Sequence, residues 1–152
     1  MISILHISTF DSGGAGKAAY RIHKGLLEFG VQSHFVSLYK KTNNTDVTPY
    51  CYNNKRRFIY RVVNKLREII VCNKEKFYFY GAWKYVVDDI SKIDTKLVAS
   101  PNVIILHWVS GFINLDVILQ LKKKYNAKVY WYLMDMAPMT GGCHFAWDCD
   151  GY

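Results

Sequence analysis

The sequence predicts an α/β protein that has one parallel sheet with helices on both faces. Short apolar segments rich in β-branched residues alternate with longer segments whose apolar residues recur every three or four positions. Segment 103–108 is apolar without alternation, which is typical of a strand buried on both faces. Strands that alternate with helices favour parallel pairing, and 152 residues are enough for one such domain.

The first third of the chain is predicted to fold as strand, helix and strand. A strand at 2–7 runs into a glycine turn, and a helix from Lys17 to Phe29 ends at Gly30. A second strand covers 31–39, and a short third strand lies near 47–52. The predicted buried face of the helix consists of its apolar residues at helical spacing: Ala18, Ala19, Ile22, Leu26 and Phe29.

The rest of the sequence, after this first third, predicts further helices between strands. Helices are predicted at 56–71 and about 79–90, followed by the strand at 103–108. A helix at 115–125 ends in three lysines, which suit the negative end of a helix, and the last strand covers 128–134. This order of elements corresponds to a Rossmann-like fold. The first of these helices is expected to bury one apolar face: Ile59, Val62, Val63, Leu66, Ile69 and Ile70.

The charge of the chain is unevenly distributed. The net charge is +8, and residues 55–84 contain nine Lys or Arg residues but only Glu68 and Glu75 as acids, with many aromatic residues between them. Such a surface attracts polyanions, and we expect an anionic membrane surface as the partner of this segment. A solvated helix face beside a core cluster is the alternative interpretation. No recognition motif for nucleic acid accompanies the basic residues, so a nucleic-acid partner is not expected.

The termini and the cysteines indicate a cytoplasmic protein. The N-terminus lacks the basic region and the cleavage site of a secretory signal, and no apolar run reaches the about 18 residues of a membrane span. The cysteines have no dense scaffold spacing, so reduced thiols are expected at Cys51, Cys72, Cys143 and Cys149.

The glycine-rich segment after the first strand fits the pattern G-x-G-x-x-A. Glycines there allow a diphosphate to approach the backbone at a helix N-terminus. The residues predicted to meet it are Gly13, Gly14, Gly16 and Lys17. A dinucleotide site would have an acid after the second strand, but Lys40 and Lys41 stand there and would suit only a 2′-phosphate. A P-loop is excluded by Asp11 and Ala18, and a turn without any ligand is the remaining alternative.

Several histidines and cysteines are candidates for chemistry. His107 ends a buried strand and is expected to be functional, whereas His6 is expected in the core and His23 and His34 at the surface. Metal-ligand residue types also occur near the end of the chain, at Cys143, His144 and Cys149. Their spacing supplies at most three ligands, so we expect no structural zinc bound within this chain.

Three segments together resemble one protein family. Residues 6–26, with the run Ser12-Gly13-Gly14-Ala15-Gly16-Lys17, look like the start of bacterial glycosyltransferases of the GT-B fold, family 4 type. Leu106-His107-Trp108 is similar to the end of their fourth strand. The segment 135–145, Asp-Met-Ala-Pro-Met-Thr-Gly-Gly-Cys-His-Phe, resembles the loop after their fifth strand.

The resemblance implies a two-domain enzyme of which this chain is one half. In that family a N-terminal domain binds the acceptor and a C-terminal domain binds a nucleotide-sugar, and transfer is usually retaining and metal-independent. Residues 1–152 correspond to the N-terminal domain alone, and this domain is expected to lack its last part. The chain by itself is therefore expected to be inactive. A nucleotide-sugar is the implied donor, no tightly bound cofactor is implied, and the implied acceptor is a glycan or a lipid-linked sugar of surface polysaccharide synthesis at the inner membrane face.

The resemblance also implies roles for individual residues. Gly14 and Gly16 would approach the donor diphosphate, and His107 and Asp135 would be the catalytic side chains facing the acceptor. The acceptor loop would consist of Thr140, Gly141, Gly142 and His144. Many members have a histidine directly before the aspartate, where it contacts the sugar, but Met134 stands at this position here. Methionine cannot donate a hydrogen bond, so either His107 or His144 takes the role of that histidine or the sugar is positioned differently. Two other functions stay open: an NADP-binding module, and a non-catalytic subunit that pairs with a donor domain.

Overall fold

The computed structural model describes residues 2–50 and 99–134, together with residues 55, 58–59, 61–63, 65–66, 93, 136, 138 and 139. Five strands are present in these residues: β1 (Ser3–Phe10), β2 (Gln32–Tyr39), β3 (Val47–Pro49), β4 (Val103–Leu106) and β5 (Lys128–Trp131). Two helices have their bounds within the described residues: α1 (Gly13–Glu28) and α2 (Leu115–Tyr125).

The five strands form one parallel sheet with the order β3-β2-β1-β4-β5. The central strand β1 pairs with β2 from Ser3↔Gln32 to Phe10↔Tyr39, and with β4 from Ile4↔Val103 to Ile7↔Leu106. The pairs β2·β3 and β4·β5 are parallel as well. The predicted fold class, a Rossmann-like α/β fold with a parallel sheet, is confirmed.

The two faces of the sheet carry different cores. Since neighbouring residues of a strand point to opposite faces, the face of Leu5 and Ile7 is opposite to that of His6. The first face packs against α2 in an apolar cluster that contains Leu5, Ile7, Val36, Leu38, Ile104, Leu106, Phe112, Val117 and Leu121. The second face packs against α1 and contains a smaller apolar cluster, Ala19, Phe35 and Val47. Buried histidines complete this second core, so it is more polar than the first.

Both helices end as their sequences predict. Gly30 has a φ of 74°, and the N–H groups of Gly30 and Val31 donate to the carbonyl oxygens of Leu27 and Leu26. These two bonds form a Schellman motif, which requires a left-handed residue at the position of Gly30. In α2 the basic residues Lys122–Lys124 lie in the last turn, as predicted.

Two boundaries near the glycines differ from the prediction. β1 continues to Phe10, where it still pairs with Tyr39 of β2. The hydroxyls of the polar residues in this extension are satisfied, since Ser8 Oγ donates to the carbonyl of Phe10 and Thr9 Oγ1 to that of Ser110. α1 begins at Gly13, four residues before the predicted start at Lys17. The glycine segment is therefore the first turn of the helix rather than a loop that precedes it.

Three of the residues that were predicted to be buried by the helix at 56–71 are exposed, and a fourth, Val63, is partly buried. The described residues between 55 and 66 are helical, but Ile59, Val62 and Leu66 are exposed, and Phe58 is exposed as well. Periodicity predicts that a helix has an apolar stripe, but it does not predict which surface covers that stripe. The described core consists of other side chains. The predicted helix at 79–90 lies outside the described residues, as do Ile69 and Ile70. Among the described helices, none combines the length and apolar character needed to cross a membrane.

Candidate functional site at the carboxyl ends of β1 and β4

The sheet has its topological switch point between β1 and β4. The chain leaves β1 into α1 on one face, and it leaves β4 toward α2 on the other face. In open parallel sheets, ligands bind beyond the carboxyl ends of the strands at this point. We call this region, residues 10–14 after β1 and 107–111 after β4, the switch-point edge. Its two parts are joined by the bond from the N–H of Thr9 to the carbonyl of Trp108, at 2.6 Å.

The start of α1 presents two exposed glycines at the switch-point edge. Gly13 and Gly14 are exposed, and a Cβ atom at either position would meet no heavy atom within 4 Å. Ser12 makes no side-chain cap bond, and the first turn contains no acid. The N–H groups of a first helical turn lack intrahelical partners and carry partial positive charge, which favours an anion. Lys17 is exposed one turn further along the helix.

Gly16 has a different role from Gly14. A Cβ atom at Gly16 would lie 2.6 Å from the carbonyl carbon of Asp11 and 2.7 Å from the carbonyl oxygen of Phe10. The residue is buried, so the absence of a side chain lets α1 approach the end of β1. The sequence interpretation assigned Gly16 to the diphosphate, whereas the structure explains this glycine by contact with the protein backbone.

Asp11 joins the end of β1 to the segment that follows β2. Its buried carboxylate accepts hydrogen bonds from the N–H of Lys41 at 2.7 Å, the N–H of Thr42 at 3.0 Å and the hydroxyl of Thr42 at 2.5 Å. The ammonium of Lys41 lies over the ring of Phe10, 5.1 Å from its centroid. This role was missed from the sequence, although an acid directly between a buried strand and a glycine turn is a recognisable signal.

His107 follows β4 directly and is buried, with 1% of its surface exposed. Its N–H donates to the carbonyl of Ile7 at 3.0 Å, and its carbonyl accepts from Trp131 Nε1 at 3.2 Å. The ring lies edge to edge with that of His6, nearly parallel to it and 5.3 Å away between centroids, and it contacts the ring of Tyr132 at 5.6 Å between centroids. Burial lowers the pKa of His107 to about 4, so the imidazole is neutral at neutral pH. It can donate or accept a hydrogen bond there but adds no charge.

His6 lies beside His107, and His23 lies beside His6. His6 is fully buried, as expected for a core residue, and its Nδ1 lies 3.0 Å from His107 Nε2. The prediction of His23 at the surface is wrong: it is 1% exposed, and its Nδ1 lies 2.7 Å from Ser33 Oγ. The buried face of α1 is formed by Gly16, Ala19 and His23, whereas Phe29, predicted on that face, is 88% exposed. His34 is partly buried, and burial lowers its pKa.

Most of the predicted acceptor side lies outside the described residues. This holds for Asp135 and for the predicted loop and metal candidates Thr140, Gly141, Gly142, Cys143, His144 and Cys149. Met134 is described, follows β5 and is exposed. Within residues 2–50, 99–134 and the few described elsewhere, no three His, Cys, Asp or Glu side chains are placed to hold a metal ion.

The structure thus brings together at one edge the open first turn of α1, the carboxylate of Asp11 and the neutral imidazole of His107. This arrangement can receive an anionic group at the helix and a hydrogen-bonding group near β4. Comparisons of the chain with protein-family models, with curated proteins and with solved structures give no match.

Proposed function

We propose that this chain is the acceptor-side domain of a bacterial glycosyltransferase of the GT-B type. The enzyme would move a sugar from a nucleotide-sugar to a glycan or a lipid-linked acceptor of surface polysaccharide synthesis. The observation that carries the proposal is the first turn of α1 at the switch-point edge, which contains two exposed glycines and no acid. The resemblance of segments 6–26, 106–108 and 135–145 to that family selects the diphosphate of a nucleotide-sugar as the anion.

The chemistry follows from the charge that develops during transfer. When the bond between sugar and diphosphate breaks, negative charge accumulates on the leaving nucleoside diphosphate. Prearranged N–H donors at a helix N-terminus stabilise such charge, and Gly13 and Gly14 leave room for it. His107 would contribute a neutral hydrogen bond near the acceptor. The donor-binding half would come from polypeptide outside residues 1–152, in the same chain or in a second subunit.

The described residues between 55 and 66, which are helical, support a membrane surface as the site of action. Exposed apolar side chains recur along it at Phe58, Ile59, Val62 and Leu66, and Lys55, Arg61 and Lys65 are exposed as well. Apolar residues that enter the headgroup region beside cationic residues bind anionic bilayers. The proposed location is the inner face of the cytoplasmic membrane, where a lipid-linked acceptor is within reach.

Gly14→Asp tests the proposal because it separates folding from anion binding. A carboxylate in the first turn of a helix stabilises the helix by about 0.3–1 kcal/mol, but it repels a diphosphate. We expect Gly14→Asp to fold and to lose the shift that UDP causes in the amide signals of Gly13 and of residue 14 in NMR spectra of the chain. Membranes from cells with this allele should lose transfer of labelled sugar from nucleotide-sugars to lipid.

Gly14→Ala is the matched control, since it adds a Cβ in open space without charge. It should keep most of the UDP response and of the transfer. Undiminished transfer by the Gly14→Asp allele would contradict the proposal.

An NADP-binding module is the second candidate, and one observation favours it. Lys41 lies after β2, beside Phe10, where a dinucleotide would place a 2′-phosphate. Titration with NADPH in the same NMR experiment distinguishes the two functions. A response to NADPH that is lost in Lys41→Gln, with none to UDP, would replace the transferase proposal by this one.

A further inference from the structure

Three buried imidazoles form a continuous group on the α1 face of the sheet. The ring centroids of His6 and His107 are 5.3 Å apart with an interplanar angle of 20°, and those of His6 and His23 are 5.7 Å apart in an edge arrangement. The ring of Phe35 contacts all three. The group thus connects the middle of α1, through the middle of β1, with the residue that follows β4.

The bond between His6 and His107 couples their tautomers. Two neutral imidazoles whose nitrogens lie 3.0 Å apart can share only one proton between them, so one ring donates and the other accepts. If His6 Nδ1 donates, neutral His107 must carry its proton on Nδ1. If His107 Nε2 donates, its Nδ1 keeps a bare lone pair. The state of Nδ1, the nitrogen on the other side of the His107 ring, is therefore set by His6.

Burial keeps this pair neutral at neutral pH. Desolvation is the main cause that lowers the pKa of His6 to about 3, with His107 and then His23 adding smaller repulsions. The pKa of His107 is lowered to about 4 by burial. An N–H···N bond between neutral rings is thus the state that a ligand at the switch-point edge would meet.

The described surroundings of His107 give its buried Nδ1 no hydrogen bond. The backbone of His107 is held by Ile7 and Trp131, and its ring lies against Tyr132, which is 45% exposed. Among the described residues, His107 Nδ1 has no hydrogen-bond partner. A buried nitrogen without a partner is costly in a folded protein, and each such atom calls for an explanation. Nε2 of His6 and Nε2 of His23 are likewise without a partner among the described residues, but of the three rings only that of His107 follows the carboxyl end of a strand.

We propose that His6 is a positioning residue, which holds His107 in one tautomer and orientation so that Nδ1 forms the hydrogen bond to the sugar-bearing ligand. This inference rests on the proposed transferase function for the identity of the ligand. The role of His6 itself depends only on the pair of rings. His6 does not touch the ligand and acts through His107, with the ligand approaching from the side of Tyr132.

NMR of the uniformly ¹⁵N-labelled chain tests the pair without any ligand. We expect a scalar coupling across the hydrogen bond between His6 Nδ1 and His107 Nε2, and imidazole nitrogen shifts that show His107 in a single tautomer. Through-bond correlations from the backbone to the rings, recorded on the chain labelled with ¹³C as well, assign the five histidines. Lack of the coupling, or a mixture of tautomers in the wild-type chain, would overturn the proposal, and neither measurement requires a variant to fold.

His6→Phe then tests the positioning, with His23→Phe as the matched control. Both variants keep a buried ring in the same cluster, but only the first removes the partner of His107 Nε2. We expect both tautomers of His107 in His6→Phe and the wild-type tautomer in His23→Phe. Sugar transfer in membranes should fall about tenfold or more in the first variant, because misplaced groups lose most of their effect, and should stay near wild type in the second.

The outcomes separate this inference from the proposed function. A mixed tautomer in His6→Phe together with unchanged transfer would overturn the positioning role, as would the same tautomer in wild type and variant. If wild-type membranes transfer no sugar from any nucleotide-sugar, the transferase proposal fails. The coupling and the tautomers would then still decide whether His6 sets the state of His107.

Discussion

Gly16 determines how closely α1 approaches β1. Its missing side chain leaves space for the backbone of Phe10 and Asp11, which a Cβ atom would meet at 2.7 and 2.6 Å. These atoms belong to the main chain at the end of a central strand and cannot move aside without breaking the sheet pairs there. The residue therefore supports the switch-point edge indirectly, by holding the helix start in place.

We expect Gly16→Ala to destabilise the protein by about 1–3 kcal/mol, because the added carbon forces helix and strand apart. Gly14→Ala is the matched control, since its Cβ meets nothing within 4 Å, and it should stabilise the fold by about 0.4–1 kcal/mol. Urea unfolding measures both changes in the free energy of unfolding. Equal stability of the two variants would show that the helix can shift freely.

At the scale of single residues, the sequence indicated which positions are structurally special, but it did not indicate what surrounds them. The glycine segment was recognised as a place where other atoms can approach the backbone closely. The sequence did not show that Gly16 lies against the protein backbone whereas Gly14 faces open space. His23 was expected at the surface because histidine is polar, yet it lies four residues after Ala19 on the buried face of α1. Its bond to Ser33 Oγ, which makes this burial tolerable, depends on a neighbouring strand.

Helix α2 shows which parts of an element are determined locally. Asn114 precedes it in extended conformation, and its Oδ1 accepts from the N–H of Val117 at 2.9 Å. Asp116 lies in the first turn, and Asn126, with a φ of 50°, ends the helix in the left-handed region. The predicted bounds 115–125 are confirmed because all these signals lie within the helix or next to it.

We expect Asn114→Ala to lower the free energy of unfolding by about 1 kcal/mol, since the first turn of α2 loses an acceptor for one of its unpaired N–H groups. Asn114→Ser keeps an oxygen at the N-cap and should retain most of the stability. Urea unfolding gives the magnitude, and amide exchange at Val117 locates it. Slow exchange at Val117 in the alanine variant would mean that another group caps the helix.

The start of α1 was predicted four residues late for a physical reason. Glycines have low helix propensity, so a run that contains Gly13, Gly14 and Gly16 is expected to be a turn. In the fold, contact with β1 outweighs this propensity, and the helix begins directly after Ser12. The segment 55–66 shows the converse, because its helical period was recognised while the orientation of its apolar stripe was not.

On the scale of the whole molecule, the buried histidines connect stability to pH. In the unfolded chain a histidine titrates near 6.5, whereas in the fold the pKa of His6 is about 3 and that of His107 about 4. Below 6.5 the unfolded state binds protons that the folded state cannot bind. The contribution of these histidines to the free energy of unfolding is therefore fully present above pH 6.5, and it is lost as the pH falls toward the folded pKa values of about 4 and 3. Burial lowers the pKa of His23 in the same direction, opposed by nearby Asp46.

For His6 alone, the free energy of unfolding is expected to be lower by about 2 kcal/mol at about pH 5 than at about pH 7. His6→Phe should reduce the pH dependence of the free energy of unfolding by about this amount, because it removes one group that protonates only on unfolding. His34→Gln is the control, since His34 is only partly buried and should contribute less. Urea unfolding at the two pH values measures both. An unchanged pH dependence in His6→Phe would show that His6 does not remain neutral in the fold.

The sequence by itself determined the α/β class, the order of the described strands and of α1 and α2 among them, and the C-terminal ends of these two helices, because periodicity, caps and turns depend on residues a few positions apart. Only the tertiary structure decided which side chains meet. The order β3-β2-β1-β4-β5 places β4 next to β1, and this brings His107 to His6 across 101 positions of sequence. The same packing of α1 adds His23 to the group and turns the glycine segment into an open helix start. No local pattern encodes such contacts, since they depend on which strands pair and which faces the helices cover.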